Sequence, residues 1–123
     1  MPFVVEVFGY QVGTVGFTEA YARECGMDVV TNITTTSTRR RAFGGKPIDI
    51  KLIADNRTKT LIGAQLISEE LVAGKIDRLA VAIAERIPVK RLSLIDTCYS
   101  PTVGAGYEAV TMALDELAEM VTV

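Results

Sequence analysis

The densest group of residues suited to binding chemistry lies near the middle of the chain. It comprises Arg39, Arg40, Arg41, Gly44, Gly45 and Lys46. Arginine guanidinium groups present planar forks of N–H donors that match phosphate oxygens, so an anion-binding site is one interpretation. The glycine spacing matches neither a P-loop nor the G-x-G-x-x-G turn of a dinucleotide site. This mismatch favours a solvated turn between two strands, with its charges paired to a neighbouring subunit.

Catalytic side chains are scarce in the rest of the sequence. There is no histidine, which excludes Ser-His and Cys-His nucleophilic pairs, histidine general bases and histidine-liganded zinc. Cys25 and Cys98 lie far apart, so no C-x-x-C redox pair exists and both are expected to be free thiols packed as small core residues. Acidic pairs such as Asp96 and Glu108 are interpreted as solvent-exposed charges. We therefore predict no catalytic residue and no metal ligand in this chain.

The first half of the chain is predicted to consist mainly of strands. β-Branched and aromatic residues, and alternation of apolar with polar residues, indicate strands over residues 4–8, 28–38, 48–52 and 61–67, with a second short strand after Gly9. Polar turn residues at 55–59 make the last two strands an antiparallel hairpin. Thr18 is a favourable N-cap and Gly26 suits a left-handed C-cap, so residues 19–25 are predicted to form a short helix.

The second half changes to helical periodicity. Apolar residues three and four positions apart predict an amphipathic helix from Val72 to Ile87, which Pro88 ends, and residues 89–94 add another helical turn or two. A loop follows at residues 99–106, and a final helix begins at Tyr107. The apolar stripe of this final helix comprises Val110, Leu114, Leu117 and Val121.

Two interpretations of that stripe fit its periodicity. It packs on the sheet of its own chain, or it contacts a partner helix across a subunit interface, and the pattern alone does not separate them. Because the sheet already has the preceding amphipathic helix to cover it, we expect the stripe to be exposed on the monomer and to form a dimer interface.

Strands followed by helices, without βαβ alternation, predict an α+β fold in which an antiparallel sheet has helices packed on one side. A length of 123 residues fits a single domain over residues 1–123. The formal net charge of −2 argues against a nucleic-acid partner. No apolar run has the length or flanks of a membrane span or a signal peptide, so we expect a cytoplasmic protein with no membrane partner.

Several segments, read in order, resemble the dimerisation domain of the pyridine nucleotide-disulfide oxidoreductases. Residues 8–19 are similar to the strand pair that leads into the first helix of that domain. Residues 46–52 and 61–65 resemble its hairpin, which returns through a Gly-Ala-Gln sequence. Residues 74–77 and 99–101 are similar to the branch that contains NADH oxidases and coenzyme A-disulfide reductases. The resemblance extends from residue 4 to about residue 114.

The resemblance implies a homodimer and a parent enzyme that uses FAD and NAD(P)H in other domains, with neither cofactor bound by this chain alone. It implies that Tyr99 reaches the partner's flavin and substrate cleft. Where coenzyme A-linked members carry tyrosines, this chain has Arg41 and Ala42, followed by Phe43, which argues against coenzyme A as the substrate. The substrate-contacting residues are then Tyr99, Phe43 and Arg41, and the dimer interface comprises Tyr99, Pro101, Val110, Leu114, Leu117 and Val121.

Two other functions stay open beside a dimerisation domain. The chain could be a stand-alone dimeric module that assembles with a separately encoded flavoprotein. It could also be a sensor that binds a small anionic ligand through Arg39, Arg40 and Arg41. The chain alone is expected not to be an enzyme, because its sequence contains no recognisable binding motif for flavin or nicotinamide.

Overall fold

A computed structural model describes residues 2–97 and 107–121 of the chain. The strands are β1 (Phe3–Val7), β2 (Tyr10–Gly16), β3 (Val29–Ser37), β4 (Pro47–Asp55) and β5 (Thr60–Ser68). The helices are α1 (Glu19–Glu24), α2 (Ala73–Ala84), α3 (Val89–Ser93) and α4 (Ala109–Val121), and a 3-10 turn spans Arg41–Phe43. The predicted α+β fold with an antiparallel sheet is confirmed.

The five strands form one antiparallel sheet in the order β1-β2-β5-β4-β3. Alternate residues of each strand point to opposite faces. On β4 this alternation buries Ile48, Ile50 and Leu52 on one face, while Asp49 and Lys51 lie on the other. We call these two sides the covered face and the open face.

Two helices share the covered face. Helix α2 contacts β1, β2 and β5, and helix α4 contacts β3, β4 and α3. A five-stranded sheet is roughly 19 Å across at the usual strand spacing, about twice the ~10 Å diameter of a helix. One helix therefore leaves half of this face uncovered, and α4 fills that half.

This geometry corrects the expectation for the last helix. Its stripe, which comprises Val110, Leu114, Leu117 and Val121, is at most 1% exposed and belongs to the main core. The prediction that these side chains are exposed is wrong, because the sheet is too wide for α2 alone to cover. Side chains enclosed within their own chain contact a partner only if the core repacks, so this burial argues against an interface formed by the four, and their role in a dimer stays a prediction.

Short helical segments begin and end largely where the local sequence indicates. The Thr18 hydroxyl accepts a hydrogen bond from the backbone N–H of Tyr21 at 3.2 Å, and Gly26 follows α1 with φ of 78°. Helix α2 ends at Ala84, before Pro88 is reached, because Arg86 turns the chain with φ of 53°. Pro88 instead lies immediately before α3.

Helix α1 lies across one end of the open face. Ala22 of this helix packs with Val29 and Ile53 in a small second core. Cys25, just after α1, is exposed, so the expectation of a core thiol is wrong there, and Cys98 lies outside the described residues. Beyond this small cluster, no described helix covers the open face.

Candidate functional site

The arginine-rich segment forms a tight turn between β3 and β4. The backbone N–H groups of Phe43 and Gly45 both donate to the carbonyl of Arg40, at 3.0 and 3.1 Å. Gly44 has φ of 88°, and a Cβ added to Gly45 would lie 1.9 Å from the carbonyl oxygen of Arg39. The two glycines are therefore required by the turn itself, which accounts for them without a bound phosphate.

Arg39 holds this turn against the end of β5. Its Nε and Nη2 atoms each donate to the Glu70 carboxylate at 3.1 Å, and its Nη1 atom donates to the carbonyl of Phe43. The Thr38 hydroxyl donates to the same carboxylate at 2.5 Å. The hydrogen bond from Arg39 is the main cause that lowers the pKa of the Glu70 carboxyl below its usual value, and the bond from Thr38 contributes to the same shift.

The interpretation of a solvated turn whose charges pair with a neighbouring subunit does not hold for Arg39, which pairs with Glu70 of its own chain. Arg40 and Arg41 are exposed, and the Phe43 side chain is 43% exposed. The turn thus presents a guanidinium and an aromatic ring on a braced backbone. Such a pair supplies charge and stacking to an anionic or planar ligand, but it carries no group that transfers protons near neutral pH.

The remaining predicted substrate and interface residues, Tyr99 and Pro101, lie outside the described residues. Their relation to Arg41 and Phe43 therefore stays a prediction. In residues 2–97 and 107–121 no cluster of three metal-ligating side chains occurs. Within the same ranges no helix has the length and apolar character needed to cross a membrane.

A second exposed feature lies along α3 and α4. Leu94 is 82% exposed, and Ile95 and Met120 are each close to half exposed. A groove beside them is lined by Lys90, Ser93, Leu94, Ala118 and Glu119. We call this feature the helical edge. It combines apolar side chains with charges of both signs, which is the composition of a contact surface rather than of a catalytic cleft.

Glu108 is a structural residue that the sequence did not reveal as one. Its carboxylate accepts the backbone N–H groups of Val110 and Thr111 at 3.0 and 3.1 Å, so it caps α4. It also pairs with Arg78 of α2 at 2.7 Å, and its side chain is only 14% exposed. The interpretation of Glu108 as a solvent-exposed charge is therefore wrong. Its position just before an apolar helical run is the feature of the sequence that could have identified it as a helix cap.

Tyr107 is held beside the first turns of α4. Its hydroxyl donates to the Asp115 carboxylate, and this hydrogen bond is the main cause that raises the pKa of the phenol to about 12. A phenol held in its neutral form by a neighbouring carboxylate is a donor, not a base. This contact therefore orders the start of the helix and adds no catalytic group.

An α+β domain with a braced cationic turn and exposed contact surfaces, and with no catalytic cluster in the part described, has the character of an assembly domain. Residues 2–111 match the model of the family described as "Pyridine nucleotide-disulphide oxidoreductase, dimerisation domain". The chain belongs to this family, and the resemblance seen in its sequence is confirmed. The parent family is FAD- and NAD(P)H-dependent, and membership of a dimerisation family implies self-association.

Similar proteins are several times longer than this chain. An NADH oxidase of Methanocaldococcus jannaschii is 29% identical over 114 residues, which is 92% of this chain and 25% of the oxidase. A CoA-dependent NAD(P)H sulfur oxidoreductase of Pyrococcus abyssi is 31% identical over 99 residues, 80% of this chain and 22% of that protein. The solved structure of an NAD-dependent persulfide reductase from A. fulgidus has a TM-score of 0.89 and 27% identity, over 94% of this chain and 22% of its own. The chain thus spans about a quarter of the length of the relatives it matches.

Proposed function

We propose that this chain is the dimerisation part of an FAD- and NAD(P)H-dependent oxidoreductase of the NADH oxidase or persulfide reductase type, and that it forms one compact unit over residues 1–123. The observation that carries the proposal is the family match over residues 2–111, combined with coverage of only about a quarter of each similar oxidoreductase. Flavin and nicotinamide are then bound by the part of the enzyme that this chain does not match.

The helical edge is the surface we propose for self-association. In a two-fold dimer each surface meets its own copy, so a surface with one sign of charge would repel itself. The edge carries side chains of both signs, Lys90 and Glu119, beside Leu94, so it does not concentrate one sign of charge against its own copy. It also adjoins, in sequence, the segment of Tyr99 and Pro101. This surface replaces the buried stripe of α4 as the proposed interface.

The arginine turn is the part of the chain that we propose to contact substrate. Arg41 and Phe43 are exposed on a backbone that Arg39 braces, and Tyr99 completes the set by family resemblance. A guanidinium beside an aromatic ring favours a substrate with an anionic group and a flat or apolar portion. This chain then contributes binding contacts, while the redox chemistry takes place on groups of the other domains.

Sedimentation equilibrium of the isolated chain tests the dimerisation proposal. We expect the wild-type chain to sediment as a colourless dimer, without flavin absorbance. Leu94→Asp should shift it to monomer, because a carboxylate replaces a side chain that the interface would bury. Val81→Asp is the matched control, since Val81 is 61% exposed on α2, away from the helical edge. A wild-type monomer at high micromolar concentration, or a Leu94→Asp dimer of unchanged affinity, would count against the proposal.

A further inference from the structure

A pocket at one end of the sheet belongs to neither the arginine turn nor the helical edge. It has a volume of about 410 Å³ and lies where β2 ends, where α2 ends and where a turn joins β4 to β5. The arginine turn precedes Pro47, whereas the pocket is reached at Asp55, so the two sites lie at opposite ends of β4. Along the nine residues of that strand the separation is roughly 27 Å. We call this cavity the end pocket.

Most of the lining of the end pocket is apolar. The side chains come from β5, from α2 and from the segments on either side of α1, and they are Phe17, Met27, Leu61, Ile62 and Ile83. Phe17, Met27 and Ile62 pack against the small second core, and Leu61 and Ile83 belong to or pack against the main core. Both cores therefore hold the wall of the pocket in place. A preformed apolar wall with a few polar groups is the usual composition of a small-molecule site.

A buried carboxylate lines the same pocket. Asp55 is only 7% exposed. Its Oδ1 atom accepts a hydrogen bond from the backbone N–H of Arg57 at 2.9 Å, and no described residue donates to its Oδ2 atom. A buried carboxylate oxygen without a donor is costly, because it has lost its water without gaining a partner. This oxygen therefore suits a ligand that brings a donor, and a charged donor binds a carboxylate most strongly.

Arg86 brings the opposite charge to the end pocket. It follows α2, its side chain is exposed, and it forms no ion pair with Asp55 or with any other described carboxylate. The hydroxyls of Thr58 and Thr60, which bond to each other at 2.7 Å, line the pocket as well. One pocket thus presents a carboxylate and a guanidinium that do not neutralise each other.

We propose that the end pocket binds a small apolar amino acid, whose ammonium group donates to Asp55 and whose carboxylate accepts from Arg86. The guanidinium would repel a simple cation and the Asp55 carboxylate would repel a simple anion, so the ligand that suits both groups is a zwitterion. Its apolar side chain then lies against the wall that contains Phe17 and Leu61. This site is separate from the proposed substrate contacts at the arginine turn, and the inference does not depend on the proposed function.

Titration of the full isotope-labelled chain with leucine, followed by the NMR shifts of its backbone amides, tests the site. Isocaproate and isopentylamine are matched probes, because each keeps the branched side chain of leucine and lacks one of its two charged groups. We expect leucine to shift the amides of Thr58, Leu61 and Ile83 saturably, and each single-charge probe to bind roughly tenfold or more weakly. Equal binding of either single-charge probe would overturn the inference. So would the absence of a saturable shift up to about 10 mM leucine, a concentration that populates even a millimolar complex.

Two variants test the assigned charges. Asp55→Asn keeps an acceptor oxygen for the Arg57 N–H but removes the charge, and Arg86→Asn removes the other charge with a residue that tolerates the φ of 53° at this position. Each should weaken leucine binding roughly tenfold or more. Arg57→Gln is the matched control, since Arg57 is exposed in the same turn and does not line the pocket, and it should bind leucine as the wild type does. The amide spectra show which variants keep the fold, and a folded Asp55→Asn or Arg86→Asn chain of unchanged affinity would overturn the inference.

Discussion

The two faces of the sheet are built from the same strands but are completed in different ways. On the covered face, Leu52 and Leu66 are enclosed by helices of the same chain. On the open face, Ile33 and Ile67 remain exposed, and the buried Gln65 amide nitrogen has no acceptor among the described residues. The covered face is therefore a core completed by helices of the same chain, whereas apolar side chains of the open face stay exposed. The difference shows that burial on this sheet is decided face by face, by which side the helices α2 and α4 cover.

The largest expected effect is a difference in unfolding free energy between the same substitution on the covered face and on the open face. Leu114→Asp places a carboxylate in the covered core among apolar side chains, and should destabilise the chain by about 4 kcal/mol or more. Ile67→Asp places the same group on the open face and should change the unfolding free energy of the isolated chain by only about 0.5 kcal/mol. Urea denaturation followed by circular dichroism measures both. Equal losses would mean that the open face is already packed in the isolated chain.

A smaller effect should distinguish the neighbouring arginines of the turn. Arg39→Ala removes the forked contact with Glu70 and the bond to the Phe43 carbonyl, and should lower the melting temperature by a few degrees. Arg40→Ala should leave it nearly unchanged, because the Arg40 side chain is exposed and the turn uses only its backbone carbonyl. Differential scanning calorimetry of both variants provides the comparison, and a larger loss for Arg40→Ala would contradict it.

The Arg39–Glu70 contact should also depend on pH. The Glu70 carboxyl has a lowered pKa in the folded chain. As pH falls, the unfolded chain therefore takes up a proton at this group before the folded chain does. The contribution to stability is complete above the ordinary glutamate pKa of ~4.3 and is lost as pH falls through the lowered value. The melting-temperature difference between wild type and Glu70→Gln should be constant near neutrality and shrink in acid. A difference that grows in acid would contradict this sign.

The smallest effect should come from Gln65 in the isolated chain, and its direction is the informative part. Gln65→Leu removes a buried donor that has no acceptor in the described part of the chain, and should leave stability unchanged or raise it by up to about 1 kcal/mol. Urea denaturation of the isolated chain tests the sign, and a clear loss of stability would mean that the amide is already bonded there.

The sequence by itself determined most of the secondary structure. Strand alternation around Ile50, the cap at Thr18 and the turn glycines Gly44 and Gly45 depend on neighbours within a few residues, so local pattern predicted them well. Family motifs placed the chain among dimerisation domains for the same reason, since each motif is a short contiguous segment.

Only the tertiary structure decided which surfaces are free. The stripe containing Leu114 has the same periodicity whether it is buried or exposed, and the width of the sheet decided that it is buried. The pairing of Arg39 with Glu70 joins residues 31 positions apart, and the exposure of Ile67 depends on which face the helices cover. Long-range packing determines such properties, because a pattern along the chain specifies which side of an element is apolar but not what will cover it.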